Sequence, residues 1–224
     1  MTRTGSPLQA VLFDMDGTLI DSESLWGRAE SATVAALGGE WTHEDHRRNI
    51  GGASAQVARY ILDLTGADAP PEEVAARMQA EFARALDDGA PLRPGAKELV
   101  ALVAESGLPS ALVTSTRRAL VERAIGAIGL DSFDLSVAGD EVEANKPDPA
   151  PYLTAARLLG VDPAACVAFE DSAVGVASAM AAGCVTVAVP DQVELPPAPG
   201  LVVRDSLAGI DLAWLESLVS AKSI

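Results

Sequence analysis

The chain has 224 residues, 49% of them hydrophobic and 4% aromatic, which is enough for one large domain or two small ones. A formal net charge of −16, from 32 acids against 16 bases, excludes nucleic acid and anionic lipid as expected partners, because both are gripped through basic patches. Cys166 and Cys184 lie outside any CxxC pattern and read as buried thiols, no run of about 18 apolar residues reads as a membrane span, and MTRTGSPLQ has no apolar signal-peptide segment, so a cytoplasmic location with no membrane partner is expected.

The first element is the apolar strand Ala10–Phe13 of AVLFDMDGTLI, which stops on Asp14 and Asp16 and turns at Gly17. Residues i and i+2 of a strand share a face, so these two carboxylates repel each other. A divalent cation such as Mg²⁺ between them offsets the repulsion. Alternatively, one acid stays protonated beside the other, as suits a general acid. The bland alternative is an Asx-type turn with two solvated acids. That is weaker here, because the four fixed positions of D-x-D-G-T occur by chance in roughly one in a thousand chains of this size.

From Asp21 to Asp88 no strand pattern follows. Leu25, Ala29, Ala32 and Ala36 recur at helical spacing, as do Val57, Ile61 and Leu64, and then Val74, Met78, Phe82 and Leu86. This spacing predicts an all-helical unit over 21–88, inserted after the first strand, with 1–20 and 89–224 forming the other domain. DDGAPLRPG (Asp87–Gly95) reads as the returning linker. In WTHEDHRR, Thr42 is expected to cap a helix with Asp45 in its first turn, and His43 and His46 to lie at the surface.

Further strands are predicted at Ser110–Thr114, Leu135–Ala138, Cys166–Phe169, Val185–Val189 and Leu201–Val203. Helical stripes separate most of them: Ala96, Leu99, Val100 and Val103; Leu120, Ala124 and Ile128; Leu153, Ala156 and Leu159. Strand–helix alternation predicts an α/β fold with a parallel sheet flanked by helices. A last helix near Leu212–Val219 is expected on the sheet edge.

Ligands of such sheets sit beyond the carboxyl ends of the strands. ALVTSTRR ends its strand on Thr114, Ser115 and Thr116, an ordinary strand end with a helix cap taken alone, but also the makings of an anion site. ANKPDPAPYL sets Lys146 before a proline and a helix, a surface lysine unless an acidic chain needs local positive charge. CVAFEDSAVGV ends on Glu170 and Asp171, where Asp171 or Ser172 alone would read as a helix cap.

DMDGT resembles the first motif of the haloacid dehalogenase-like superfamily, and the three later strand ends match its remaining motifs in order and spacing. The resemblance runs from Gln9 to about Ser206, and the inserted unit is similar to the helical cap of members resembling β-phosphoglucomutase. It implies a Rossmann-like core over 1–20 and 89–224 and a cap over 21–88, hinged near Ile20–Ser24 and Asp87–Pro94 and closing over its substrate. It further implies a Mg²⁺-dependent phosphatase that hydrolyses a small phosphomonoester through an aspartyl phosphate. By the same resemblance Asp14 is the nucleophile and Asp16 the acid–base group. Thr114 and Lys146 hold the phosphate, helped by the Ser115 N–H. The metal falls to Asp14, Asp171 and the backbone carbonyl of Asp16, with Glu170 and Thr18 supporting.

LIDSESLWGRAE (Leu19–Glu30) resembles the same stretch of sugar-phosphate phosphatases acting on 2-deoxyglucose 6-phosphate and hexitol phosphates. Glu23 and Trp26 are therefore candidate specificity residues, with packing in the cap core as the alternative for Trp26. β-Phosphoglucomutases carry a cap histidine just after the hinge and basic cap residues for a second phosphate. Here the histidine position holds Trp26, and GGASA (Gly51–Ala55) has no Lys or Arg, so a phosphotransferase of that kind is the second choice. Lone dehalogenases lack the second aspartate, and Asp16 argues against that chemistry. A non-catalytic phosphate-binding module is the third choice, and a monomer is expected.

Overall fold

In this computed structural model, residues 7–50, 54–128, 133–190 and 195–222 are described. Residues 51–53 of the GGASA stretch, on which part of the mutase comparison rests, lie outside them. The chain divides into two compact units, Met1–Asp21 with Pro91–Ile224, and Ser22–Ala90.

The discontinuous unit holds a six-stranded, all-parallel sheet: β1 (Ala10–Phe13), β2 (Ser110–Val113), β3 (Leu135–Val137), β4 (Cys166–Glu170), β5 (Val185–Ala188) and β6 (Leu201–Val203), in the order β3-β2-β1-β4-β5-β6. β1 is central, in register with both neighbours: Leu12 pairs with Ala111 and with Ala168. A central parallel strand is covered on both faces, and Ala10–Phe13 is accordingly apolar at every position and fully buried. On one face Ala10, Leu12, Ala111, Val113, Cys166 and Ala168 pack with Tyr152, Ala155 and Ala179. On the other, Phe13 stacks on Phe169 with centroids 5.5 Å apart. The strand order reverses direction between β1 and β4, the switch point at which α/β sheets open a ligand crevice. Where the chain leaves and re-enters this unit, Ile20 bridges Leu92 and the Asp21 N–H donates to the Pro91 carbonyl at 2.9 Å.

The helices of this unit are, in chain order after the four of the inserted unit, α5 (Ala96–Ser106), α6 (Arg118–Ile128), α7 (Ala150–Leu159), α8 (Ala173–Ala181) and α9 (Leu212–Lys222). α5 buries Ala96, Leu99, Val100 and Val103, the predicted stripe. α7 is rotated from its predicted stripe. Leu153 is 43% exposed, and Pro151, Tyr152, Ala155 and Ala156 face inward, because the polar-tipped Tyr152 finds a buried partner described below. α9 packs over β4 and β5 rather than on the sheet edge, burying Leu215 and Val219. No helix among the described residues is long and apolar enough to cross a membrane.

The inserted unit is α1 (Ser22–Ala36), α2 (His43–Asn49), α3 (Ser54–Thr65) and α4 (Pro71–Asp87). α4 buries Val74, Met78, Phe82 and Leu86 as its spacing predicts. In α1 and α3 the faces turn. Ala32 and Ala36 are exposed while Glu30, Thr33 and Val34 are buried, and Leu64 is 43% exposed while Ala58 is buried. Trp26 stacks on Phe82 with ring centroids 4.1 Å apart and joins the core of this unit. Thr42 caps α2 in a capping box with Asp45. His43 is exposed, but His46 is not at the surface as expected: its Nδ1 lies 2.7 Å from Oε2 of the buried Glu30.

Candidate active site

The first residues beyond β1, β2 and β4 are Asp14, Thr114 and Asp171. Because these strands are adjacent, all three side chains start from one end of the sheet. Lys146 arrives from the loop between β3 and α7. Its Nζ donates to Asp14 Oδ1 at 2.6 Å and to the Val113 carbonyl at 3.0 Å, and lies 2.6 Å from Glu170 Oε1. The Tyr152 hydroxyl, on α7, also donates to Glu170 Oε1. Oxygens of Asp14, Glu170 and Asp171 all lie within 4.8 Å of one another.

The lysine does not neutralise this group. Burial alone would pull its pKa down, but Asp14 and Glu170 together outweigh that and hold its ammonium protonated. Burial, then the Asp14 and Glu170 charges, push Asp171 up to about 8. Burial likewise carries Glu170 up to about 7 against the pull of Lys146. Three carboxyls thus share one ammonium, and Asp14 Oδ2 and Glu170 Oε2 are buried without a hydrogen-bond partner. Buried, unpaired oxygens in a cluster of excess negative charge fit a hard divalent cation such as Mg²⁺. The two glycines beside the cluster make room for it. A Cβ on Gly17, at φ +76°, would overlap the Asp171 carboxyl, and one on Gly175 would overlap that of Glu170.

Asp16 stands apart from the ion pair. Thr116 Oγ1 donates to its Oδ2 at 2.7 Å and Thr114 Oγ1 at 3.2 Å. Burial and the Asp14 charge raise its pKa to about 6, against these hydroxyl bonds. Two carboxyls two residues apart therefore differ in environment, one ion-paired and one raised toward neutrality, which suits different roles. Thr18 is buried and its Oγ1 is without a partner, while Ser115 is exposed in the turn after β2.

α6 starts only at Arg118, so Thr114 and Ser115 precede its first turn. The Arg118 N–H is taken by Asp140 Oδ1 at 2.8 Å, so a carboxylate of this chain already occupies that helix end. The sequence reading missed Thr116 and Tyr152 as site residues. Thr116 was visible only as one hydroxyl in a run of three, and Tyr152 only as part of a helix.

Glu23 and Trp26 lie in the inserted unit, where they line a cleft with Glu30, Asn49, Ser54, Val57 and Met78.

Comparison with known proteins gives concordant matches. The model of the haloacid dehalogenase-like hydrolases matches residues 8–183. Hexitol phosphatase B of Escherichia coli is 36% identical over 193 residues, 84% of this chain and 86% of that protein. The phosphorylated carbohydrates phosphatase of Thermotoga maritima is 34% identical over 178 residues, 79% of this chain and 82% of that one. The solved structure of CbbY from Rhodobacter sphaeroides in complex with phosphate superposes with a TM-score of 0.76 at 32% identity, covering 93% of this chain and 99% of that one.

Proposed function

The chain belongs to the haloacid dehalogenase-like hydrolases, and from that premise we propose that it is a Mg²⁺-dependent phosphatase of small sugar or polyol phosphates, working through an aspartyl phosphate. The observation that carries this reading is the 2.6 Å contact of Lys146 with Asp14 Oδ1, which leaves Asp14 Oδ2 buried and unpartnered.

Asp14 attacks phosphorus through one oxygen of its carboxylate, splitting hydrolysis into two easier displacements. Lys146, bonded to that carboxylate, sets a fixed positive charge beside the transferring group. Thr114 offers its hydroxyl to a phosphoryl oxygen. Asp16, raised to about 6, protonates the leaving alcohol and then takes a proton from the water that opens the aspartyl phosphate. Asp14, Asp171 and the backbone carbonyl of Asp16 would hold Mg²⁺, with Glu170 behind them tied to Lys146 and Tyr152. When bound, the cation would supply positive charge to offset that on the transferring phosphoryl group.

The names of the relatives support a phosphorylated carbohydrate as substrate. Among the described residues, the cleft of the inserted unit beside Glu23 and Trp26 is lined by two carboxylates and no Lys or Arg, a lining that suits neutral hydroxyls better than a phosphate.

The test is phosphate release from a panel of hexitol, hexose, glycolate and nucleotide phosphates, with Mg²⁺ and with chelator. Mg²⁺-dependent release, fastest on a hexose or hexitol ester, is expected. Isomerisation of glucose 1-phosphate without free phosphate would make the protein a mutase. No release from any ester would make it a binding module.

A further inference from the structure

We propose that Thr116 is the positioning residue of the acid–base carboxyl: once a phosphate ester has bound, of the two hydroxyls on Asp16 it is that of Thr116 that still holds it in place. This rests on the phosphatase reading above, with Asp16 as its acid–base group.

Two hydroxyls bond the same oxygen, Asp16 Oδ2, Thr116 Oγ1 at 2.7 Å and Thr114 Oγ1 at 3.2 Å. A hydroxyl has one proton to give. Thr114 Oγ1 also accepts the Thr116 N–H at 3.0 Å, so a lone pair is already committed to this turn. When Thr114 gives its proton to a phosphoryl oxygen, it withdraws it from Asp16. The longer of the two bonds is then lost and the shorter one remains.

The remaining bond has firm support. Besides the N–H bond to Thr114, the Thr116 carbonyl accepts the Gly139 N–H at 2.9 Å. Gly139 is pressed so closely on the Ser115 carbonyl that a Cβ would overlap it. The Gly139 carbonyl in turn accepts Asn145 Nδ2 at 3.0 Å, one residue before Lys146. The loop that delivers the lysine therefore clamps the backbone of Thr116. With both hydroxyl bonds on Oδ2, neither touches Oδ1, which is left to face the leaving oxygen. A carboxyl free to turn about its χ angles would present that oxygen only part of the time, and misplacement of this size is costly in a proton transfer.

The leaving group reports the role. An aryl phosphate expels a stable phenolate and needs little proton donation, whereas an alkyl phosphate needs the proton in the transition state. kcat/KM covers the steps up to the aspartyl phosphate, where that proton is given. Wild type, Thr116→Val and Thr116→Ser are compared with Mg²⁺ on p-nitrophenyl phosphate and on the fastest alkyl ester of a panel of hexitol, hexose and glycerol phosphates. Thr116→Val is expected to lower kcat/KM about 30-fold on the alkyl ester and about threefold on the aryl ester, so their ratio falls about tenfold. Thr116→Ser, which keeps the hydroxyl, holds the ratio within about twofold, and inhibition by inorganic phosphate stays within about twofold in both variants. Equal losses on the two esters, an unchanged alkyl rate, or weakened inhibition by phosphate in Thr116→Val would overturn the inference. Wild type that releases phosphate from no alkyl ester would sink the phosphatase reading itself, and is told apart because no variant is needed to see it.

Discussion

Gly17 is held at φ +76° with the Asp171 carboxyl occupying the place where a side chain would begin. Backbone conformation and space each demand glycine there. Gly17→Ala is therefore expected to displace Asp171 and raise the Mg²⁺ concentration for half-maximal rate by about 10–100-fold, the size seen when support of a metal site is lost. A Mg²⁺ titration of the initial rate reads this, and an unchanged midpoint would count against Asp171 as a ligand. The residues that meet at the acid cluster were legible because short buried strands end abruptly. Asp14 and Thr114 are the first polar residues after their apolar runs, and Asp171 follows Glu170, the polar last residue of β4; all three stand where the chain leaves the sheet. Tyr152 was not legible. Its hydroxyl meets Glu170, 18 residues on, only because α7 packs beside the sheet, and no spacing rule encodes that approach.

α2 is seven residues long and mostly charged, so its stability rests on its first turn. Asp45 closes that turn. Its Oδ2 accepts the Thr42 N–H at 2.9 Å, and its Oδ1 accepts the Tyr60 hydroxyl at 2.6 Å from α3. Removing the cap with Thr42→Ala is expected to cost about 1 kcal/mol of unfolding free energy. Denaturant unfolding measures it, and a loss below about 0.3 kcal/mol would mean the Tyr60 bond alone suffices. The cap was readable as a motif, whereas the buried faces of α1 and α3 were not. α1 is rich in Ala, Ser and Thr, so hydropathy gives no strong stripe, and its inward face is set by partners such as His46 against Glu30. α4, with Val74, Met78, Phe82 and Leu86 in one file, left no such ambiguity.

Across the whole chain, strand–helix alternation carried the parallel sheet, but it does not encode the order β3-β2-β1-β4-β5-β6 that brings the ends of β1 and β4 together. That meeting concentrates acid in a protein of net charge −16, with consequences for stability. Burial and the neighbouring carboxylates push the pKa values of Asp171 and Glu170 in the folded protein up to about 8 and about 7, from ordinary values of 3.8 and 4.5. Between those limits the metal-free folded protein binds protons that the unfolded chain releases, so its stability falls as pH rises from about 4 to about 8. Mg²⁺ held by the deprotonated cluster, as proposed above, would oppose this loss. The rise in Tm on adding Mg²⁺ should be larger near pH 8 than near pH 5. Calorimetry with Mg²⁺ and with chelator checks it, and an equal rise at both would contradict a cation held by these acids. The proposed role of Asp14, buried and bonded to Lys146, as the nucleophile of a phosphatase is checked by Mg²⁺-dependent phosphate release from a small sugar phosphate by Asp14→Asn beside wild type. Wild type is expected to turn over, while Asp14→Asn loses at least about 10³-fold in kcat and keeps its fold. Substantial phosphate release by Asp14→Asn would contradict that role.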